Sequence, residues 1–334
     1  MGGEGISIVI VNWNGAHLLP PCLDALRVQT RRPDEIIVVD NGSTDGSREL
    51  LATRYPEARL LPLPRNVGFA AGNNRGIAAS RGALVVTLNN DTIPAPGWLA
   101  ELCAPLDADP GLGSAASTML FAHAPDRIAS AGIRVARNGL ALDDLLGARW
   151  TGRRREARPV FGPSAGAAAY RRAMLDDIGL FDDGFFMYLE DVDLAWRARL
   201  RGWSSVHVPA ATTLHVYSAS SGQGSPFKSF HRARNRLWCL RKNLPGALVR
   251  RHAAAIARYD LAALAYALLA RDRASLRGRL AGLGGRRISA QRRLIQRTRT
   301  VSDDLFDGWL TPAPSLLAAL ALNRRAVWLA RRSA

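Results

Sequence analysis

The strongest constraint on this chain is a set of β-branched runs that each break off into polar side chains, with helical spacing between them. "ISIVIVNWN" ends in Asn12 and Asn14, "DEIIVVD" in Asp40, and "ALVVTLNND" in Asn89, Asn90 and Asp91. Leu18 to Gln29, the residues after "NGSTDG", and "NVGFAAGNNRGIAAS" space their apolar residues as helices do. Ser43, Thr44 or Asp45 is expected to cap the second of these helices. "ARLLPLP" adds a shorter strand. Strand–helix alternation of this kind predicts an α/β domain whose mostly parallel sheet carries helices on both faces. Ligands bind such sheets outside the carboxyl ends of the strands. Asn12, Asp40 and Asn89–Asp91 are therefore expected to gather along one crevice of nucleotide size.

Beyond Gly97 a helix is expected over Trp98–Leu106 and a strand over Gly111–Phe121. Residues 123–160 hold turn residues, a run of three arginines and little periodicity, and read as an irregular insert or lid. Order returns with a strand after "FGPSAG", a short helix, a loop, and a helix starting near Glu190–Asp193. "SSVHVPAATTLHV" is strand-like, with His215 near its end.

The net charge of +17 is informative only when divided. Residues 1–227 carry 22 Lys/Arg against 23 Asp/Glu, whereas residues 228–334 carry 23 against 5. A boundary near Gly222–Pro226 follows, separating an α/β domain (1–227) from a basic, mainly helical region (228–334). Three scattered cysteines are too few for a disulfide framework or a zinc site. "MGGEG" lacks the features of a leader, and "LAALAYALLA" is about half the length that a bilayer needs, so a cytoplasmic location is expected.

Several functions lose support. No glycine fingerprint of dinucleotide binding follows the first strand, where "NWNGAH" stands, and no phosphate loop ending in Gly-Lys-Ser/Thr exists. A nucleotidyltransferase would carry a Gly-rich, basic loop after that strand. Specific nucleic-acid binding is not expected, because the C-terminal arginines are not interleaved with aromatic stacking platforms.

The remaining polar residues point to a charged ligand. Asp40 can end a turn or accept hydrogen bonds from a ribose or base. Asp91 is the one carboxylate of its stretch, and a hard cation bound with a diphosphate needs only one or two from the protein. His215 reads either as a structural imidazole or as a further ligand. Asp193 can pair with Arg197 four residues on, which leaves Glu190 and Asp191 at a helix N-terminus behind Phe185, Phe186 and Tyr188. A carboxylate partly desolvated by such walls gains basicity and can serve as a general base.

Taken in order, "SIVIVNWN", "VVDNGSTDGS", "NVGFAAGNNRGI", "LNNDT" and "GLFDDGFFMYLEDVDLAWRARLRGW" resemble the family 2 inverting nucleotide-sugar glycosyltransferases of the GT-A fold. The resemblance covers about residues 6–235 and is nearest to the rhamnosyltransferase-like branch that builds bacterial cell-wall and capsule polysaccharides. It implies that Asp40 contacts the base or ribose, with Asn66, Gly68 and Asn73 on the same side. Asp91 would bind Mg²⁺ or Mn²⁺ with His215, and Asp191 would be the catalytic base. Asn12, Asn89 and Asn90 would offer amides to the donor, and Arg234, beside Asn235, would lie near its diphosphate. Asn89 departs from the family's Asp-any-Asp signature, so metal affinity rests on Asp91.

The implied substrates are a dTDP- or UDP-sugar and a glycan or polyprenyl-linked acceptor. The basic region is expected to face the anionic inner surface of the cell membrane, or else to form a homodimer arm. A nucleotide-sugar-binding protein of the same fold without transferase activity is the alternative.

Overall fold

The computed structural model describes residues 5–152, 156–216 and 225–331. Strands β1 (Ile6–Asn12), β2 (Glu35–Asp40), β3 (Ala58–Pro62) and β4 (Leu84–Asn89) alternate with helices α1 (Leu19–Arg27), α2 (Ser47–Arg54) and α3 (Phe69–Ala79). They are followed by β5 (Thr92–Pro94), α4 (Trp98–Ala108), β6 (Leu112–Phe121), β7 (Ala124–Ser130), β8 (Ile133–Val135), β9 (Ala141–Asp143) and β10 (Arg158–Pro159). Next come β11 (Ala167–Arg171), α5 (Arg172–Ile178), α6 (Glu190–Leu200) and β12 (Ser204–His215). The chain ends in α7 (Pro226–Asn243), α8 (Gly246–Arg251), α9 (Ala253–Leu269), α10 (Arg273–Leu283), α11 (Arg286–Thr298), α12 (Asp303–Asp307) and α13 (Leu316–Arg331).

The main sheet runs β10-β12-β6-β11-β4-β1-β2-β3. Its β4-β1-β2-β3 part is parallel, with Asn12 opposite Asp40. β11 then enters antiparallel to both β4 and β6, while β6 and β12 run parallel to each other. The sheet is thus parallel on one side and mixed on the other. Val, Ile and Leu fill both faces of β1, β2 and β4, since helices cover them on each side.

Two expectations change. The cap of α2 is Gly46 in the left-handed region, because the carboxylate of Asp45 accepts the N–H of Ser47 (3.2 Å) and reaches across to Ala16 N (2.8 Å). Ser43 and Thr44 bond to Asn14 instead. Residues 123–160, read as an irregular lid, hold four short strands: β7 lines β6, β8 and β9 form a hairpin, and β10 edges β12. β8, β9 and β10 are too short to register as periodicity, and the sequence of β7, APDRIAS, does not alternate apolar with polar residues. The run Arg153–Arg155 and most of the Gly222–Pro226 boundary lie outside the described residues.

The C-terminal helices pack on the α/β core. Phe185, Trp196 and Leu200 share one apolar cluster with Cys239, Leu240, Leu248 and Phe306. α10 lies close along α7, where a Cβ on Gly278 would come within 2.3 Å of the carbonyl oxygen of Phe230. α13 returns to β7 and adds Ala326 and Leu329 to the core beside the sheet.

Candidate active site

A cavity of about 560 Å³ opens at the carboxyl ends of β1 and β4. Asn66, Asn89, Asn90, Asp91, Asp191 and His215 all line it.

The strand tips are braced before any ligand arrives. Asn90 Nδ2 donates to the Oδ1 of buried Asn12 at 2.8 Å, so Asn12 orients the amide that faces the cavity. The Oδ1 of Asn89 is buried without a partner among the described residues. The last residue of β12 brings His215 Nε2 to 3.3 Å from Asp91 Oδ1. An octahedral ion with bonds of about 2.1 Å has adjacent ligands about 3 Å apart, so this pair suits two neighbouring positions on one divalent cation. Among the described residues no third His, Cys, Asp or Glu completes a cluster with them.

Asp40 is fully buried. One carboxylate oxygen accepts from Arg48 Nε at 2.6 Å and from Ser43 N at 3.3 Å, and the other has no partner among the described residues. Such an orphan acceptor costs free energy unless something donates to it. Asn41 holds the neighbouring turn: its Nδ2 donates to Asn66 Oδ1 (3.0 Å) and its Oδ1 accepts Val67 N (2.9 Å).

The segment entering α6 is strained. Phe186, Tyr188 and Leu189 have φ of 64°, 69° and 66°, values that side-chain-bearing residues rarely adopt. α7 holds them there. Asn235 Nδ2 donates to the carbonyls of Phe185, Met187 and Tyr188 at 3.1, 3.0 and 2.7 Å. Phe186 O in turn accepts Phe69 N and Ala70 N at the start of α3. Gly68 must be glycine for this contact: its φ is +90°, and a Cβ would lie 2.5 Å from Phe186 O.

The strained loop delivers Glu190 and Asp191 to the cavity wall. Asp191 Oδ1 accepts its neighbour Val192 N (2.8 Å), and Oδ2 accepts Ala165 N (3.2 Å). Burial pushes its carboxyl up to about 6, with nearby Asp143 adding to the rise and the backbone N–H groups opposing it. Glu190 is raised well above the usual carboxylate range by burial and by Asp191, and its Oε2 has no partner among the described residues. Adjacent carboxyls in such settings titrate as a pair, with Glu190 holding its proton the more firmly of the two.

A family model described as "Glycosyl transferase family 2" matches residues 7–179, from β1 to the turn after α5. The chain belongs to glycosyl transferase family 2. This family 2 glycosyltransferase is 32% identical over 245 residues to the N-acetylglucosaminyl-diphospho-decaprenol L-rhamnosyltransferase of Mycobacterium tuberculosis, covering 65% of this chain and 78% of that one. It is 27% identical over 235 residues to the O-antigen biosynthesis protein RfbC of Myxococcus xanthus, covering 66% of this chain and 18% of that one. Its fold is that of GalNAc-T7 with UDP, GalNAc and Mn²⁺ (TM-score 0.68, 18% identity, 92% of this chain and 56% of that one). It is also that of the mannosyltransferase PcManGT from Pyrobaculum calidifontis in complex with GDP-Man and Mn²⁺ (TM-score 0.53, 19% identity, 97% and 86%). The architecture is therefore the GT-A fold followed by a helical extension.

Within this glycosyltransferase some residues named from sequence stand behind the cavity wall. Asn12, Asp40 and Gly68 support residues that line it. Asn73 is buried inside α3, its Nδ2 donating to Phe69 O at 2.9 Å. Arg234, read as a diphosphate contact, instead donates to the carbonyls of Gly184 (3.0 Å) and Phe185 (2.9 Å) and stacks on Trp238. It anchors the strained loop.

Other wall residues were missed. Asp143 arrives on the β8–β9 hairpin, its carboxyl raised by burial against the pull of Ser130, His215, Arg232 and Lys228. Lys228 lines the same wall, pushed down to about 8 by burial. Neither belongs to a motif, and only the fold brings them in.

Proposed function

We propose that the chain transfers a sugar, rhamnose or a close relative, from a dTDP- or UDP-sugar to a hydroxyl of a glycan or polyprenyl-linked glycan, with inversion. The observation carrying this reading is that Asp191 opens into the same cavity as the Asp91–His215 pair. An acceptor activator and a diphosphate holder thus share one chamber. The Mycobacterium tuberculosis relative, an L-rhamnosyltransferase named for N-acetylglucosaminyl-diphospho-decaprenol, supports the choice of sugar and acceptor.

In this reading Asp40, behind the wall, braces the base-side turn through Arg48 and Ser43 N, and Asn66 and Asn41 shape that side. Asn89 and Asn90 present amides to ribose and phosphate oxygens. Asp91 and His215 would hold Mg²⁺ or Mn²⁺, which stabilises charge on a departing diphosphate. Asp191, ionised above about pH 6, accepts the proton of the acceptor hydroxyl. The freed oxygen pair bonds to the anomeric carbon as the bond to the diphosphate oxygen breaks and its electrons leave with the nucleotide. One displacement from the far side inverts the centre. Glu190, kept protonated, adds no charge that would repel the incoming hydroxyl oxygen.

Residues 1–227 would supply the donor site, and residues 228–334 the acceptor side at the inner face of the cell membrane. Among the described residues no helix is long and apolar enough to cross a membrane. Exposed Leu261, Leu264, Leu268 and Leu269 on α9 lie in a region dense in arginine, a combination suited to an anionic leaflet. Each basic residue held near such a surface contributes about 1 kcal/mol.

The test is release of nucleoside diphosphate from a panel of sugar nucleotides, with a polyprenyl-diphosphate-linked GlcNAc acceptor and Mn²⁺. Acceptor-dependent release with one donor supports transfer. Donor binding without release under every pairing supports the binding-protein alternative.

A further inference from the structure

The C-terminal helices put a second charged wall on the cavity, beyond the residues 7–179 that the family model matches. Arg236 of α7 and Arg279 of α10 both line it. They share one carboxylate oxygen, Asp260 Oδ1, at 2.6 and 3.0 Å. Arg236 is only 5% exposed, and the Nε of each arginine is buried with no partner among the described residues. Two guanidinium groups against one carboxylate leave a net positive charge, centred on the buried Arg236 with Arg279 and Asp260 partly exposed. Such an arrangement is costly unless an anion completes it. Tyr259, which stacks on Arg236, and Ser275 add hydroxyls to the same wall. The same cavity is also lined by apolar residues of α13, Leu316, Ala319 and Leu320.

We propose that Arg236 and Arg279 form a phosphate subsite for the acceptor, taking the headgroup of an isoprenoid-type lipid phosphate whose chain runs along α13. This rests on the reading of the cavity as a glycosyl-transfer site and assigns the residues that recognise the acceptor. A guanidinium fork matches phosphate oxygens in pairs. The donor diphosphate has its own partners at Asp91 and His215. An apolar strip in the same cavity as a phosphate receptor suits an amphiphile rather than a nucleotide.

The experiment titrates the full chain, in EDTA, with farnesyl diphosphate, farnesol and inorganic diphosphate, following tryptophan fluorescence. Farnesyl diphosphate is expected to bind at least about tenfold more tightly than either part alone. Arg279→Gln should weaken it about tenfold or more, the loss of a charge-assisted hydrogen bond, and Arg279→Lys should recover part of this. Leu320→Gln, on α13, should weaken farnesyl diphosphate while sparing inorganic diphosphate, which keeps the test open if the arginine variant misfolds. Equal affinity for inorganic diphosphate would overturn the lipid assignment. Displacement by saturating UDP or dTDP with Mn²⁺, or indifference to Arg279→Gln, would overturn the subsite. Nucleoside-diphosphate binding with Mn²⁺ is measured in parallel, so a failed donor reading shows there and a failed acceptor subsite shows only in the farnesyl titration.

Discussion

Lys242 of α7 donates to Asp193 of α6 across 2.9 Å, two residues beyond the carboxylate that faces the cavity. The same ammonium reaches Asp182 at 2.7 Å, and all three side chains are buried. Arg197 and Asn243 complete Asp193, and Arg287 completes Asp182. The basic C-terminal region is thus wired into the helix that carries Asp191. Together with the Arg234 and Asn235 clamp, this network fixes a loop that would otherwise relax out of its left-handed backbone.

Lys242→Met should therefore cost about 3 kcal/mol, the range for removing one partner of a buried ion pair. Urea unfolding measures it. The carboxyls of Asp182 and Asp193 are held below their usual range, Asp182 chiefly by Lys242 against its burial, Asp193 by Lys242 and Arg197. Groups with depressed folded values contribute stability above about pH 4, which is lost as pH falls through those values. The gap between wild type and variant should shrink below pH 4. A gap that is constant down to pH 2 would place the variant's defect in packing.

The α/β half was legible because its signals are local. Ile6–Asn12, Glu35–Asp40 and Leu84–Asn89 announce buried strands, and their polar ends announce the crevice. That Asp91, His215 and Asp191 reach the cavity wall was legible because each lies at, or within two residues of, the end of a regular element. The hairpin carrying Asp143 was not, since three-residue strands leave no period to detect. Arg234 shows another limit. A sequence shows that an arginine is present but not whether its donors go to phosphate or to carbonyls of a strained loop.

Asp91→Ala and His215→Ala should each raise the Mn²⁺ concentration needed for half-maximal activity by about tenfold or more, because each removes one of the two protein groups suited to the ion. Metal titrations of the initial rate decide this. Full wild-type activity in excess chelator would show that the pair serves only as an internal contact.

Vesicle co-sedimentation tests the proposed membrane-facing role of the C-terminal region. Recovery in the pellet should require anionic lipid and fall as salt rises, and Leu268→Glu with Leu269→Glu should weaken it by removing exposed apolar side chains of α9. Equal recovery in the supernatant with and without anionic lipid, at low and high salt, would leave the region as an arm for a homodimer.

Asp191 carries the central claim, and the direct measurement is the pH profile of kcat/KM for wild type beside Asp191→Asn, with donor affinity measured in parallel. Its carboxyl, pushed up to about 6, must lose its proton to act as a base, so wild-type activity should rise through about pH 6 and level above it. The dyad with Glu190 gives this limb an apparent value belonging to the pair. Asp191→Asn should lower kcat by about 10²- to 10⁴-fold, the usual loss for a general base, while binding the donor as before. A variant within threefold of wild type, with the acid limb unmoved, would contradict the account and transfer the role to Glu190.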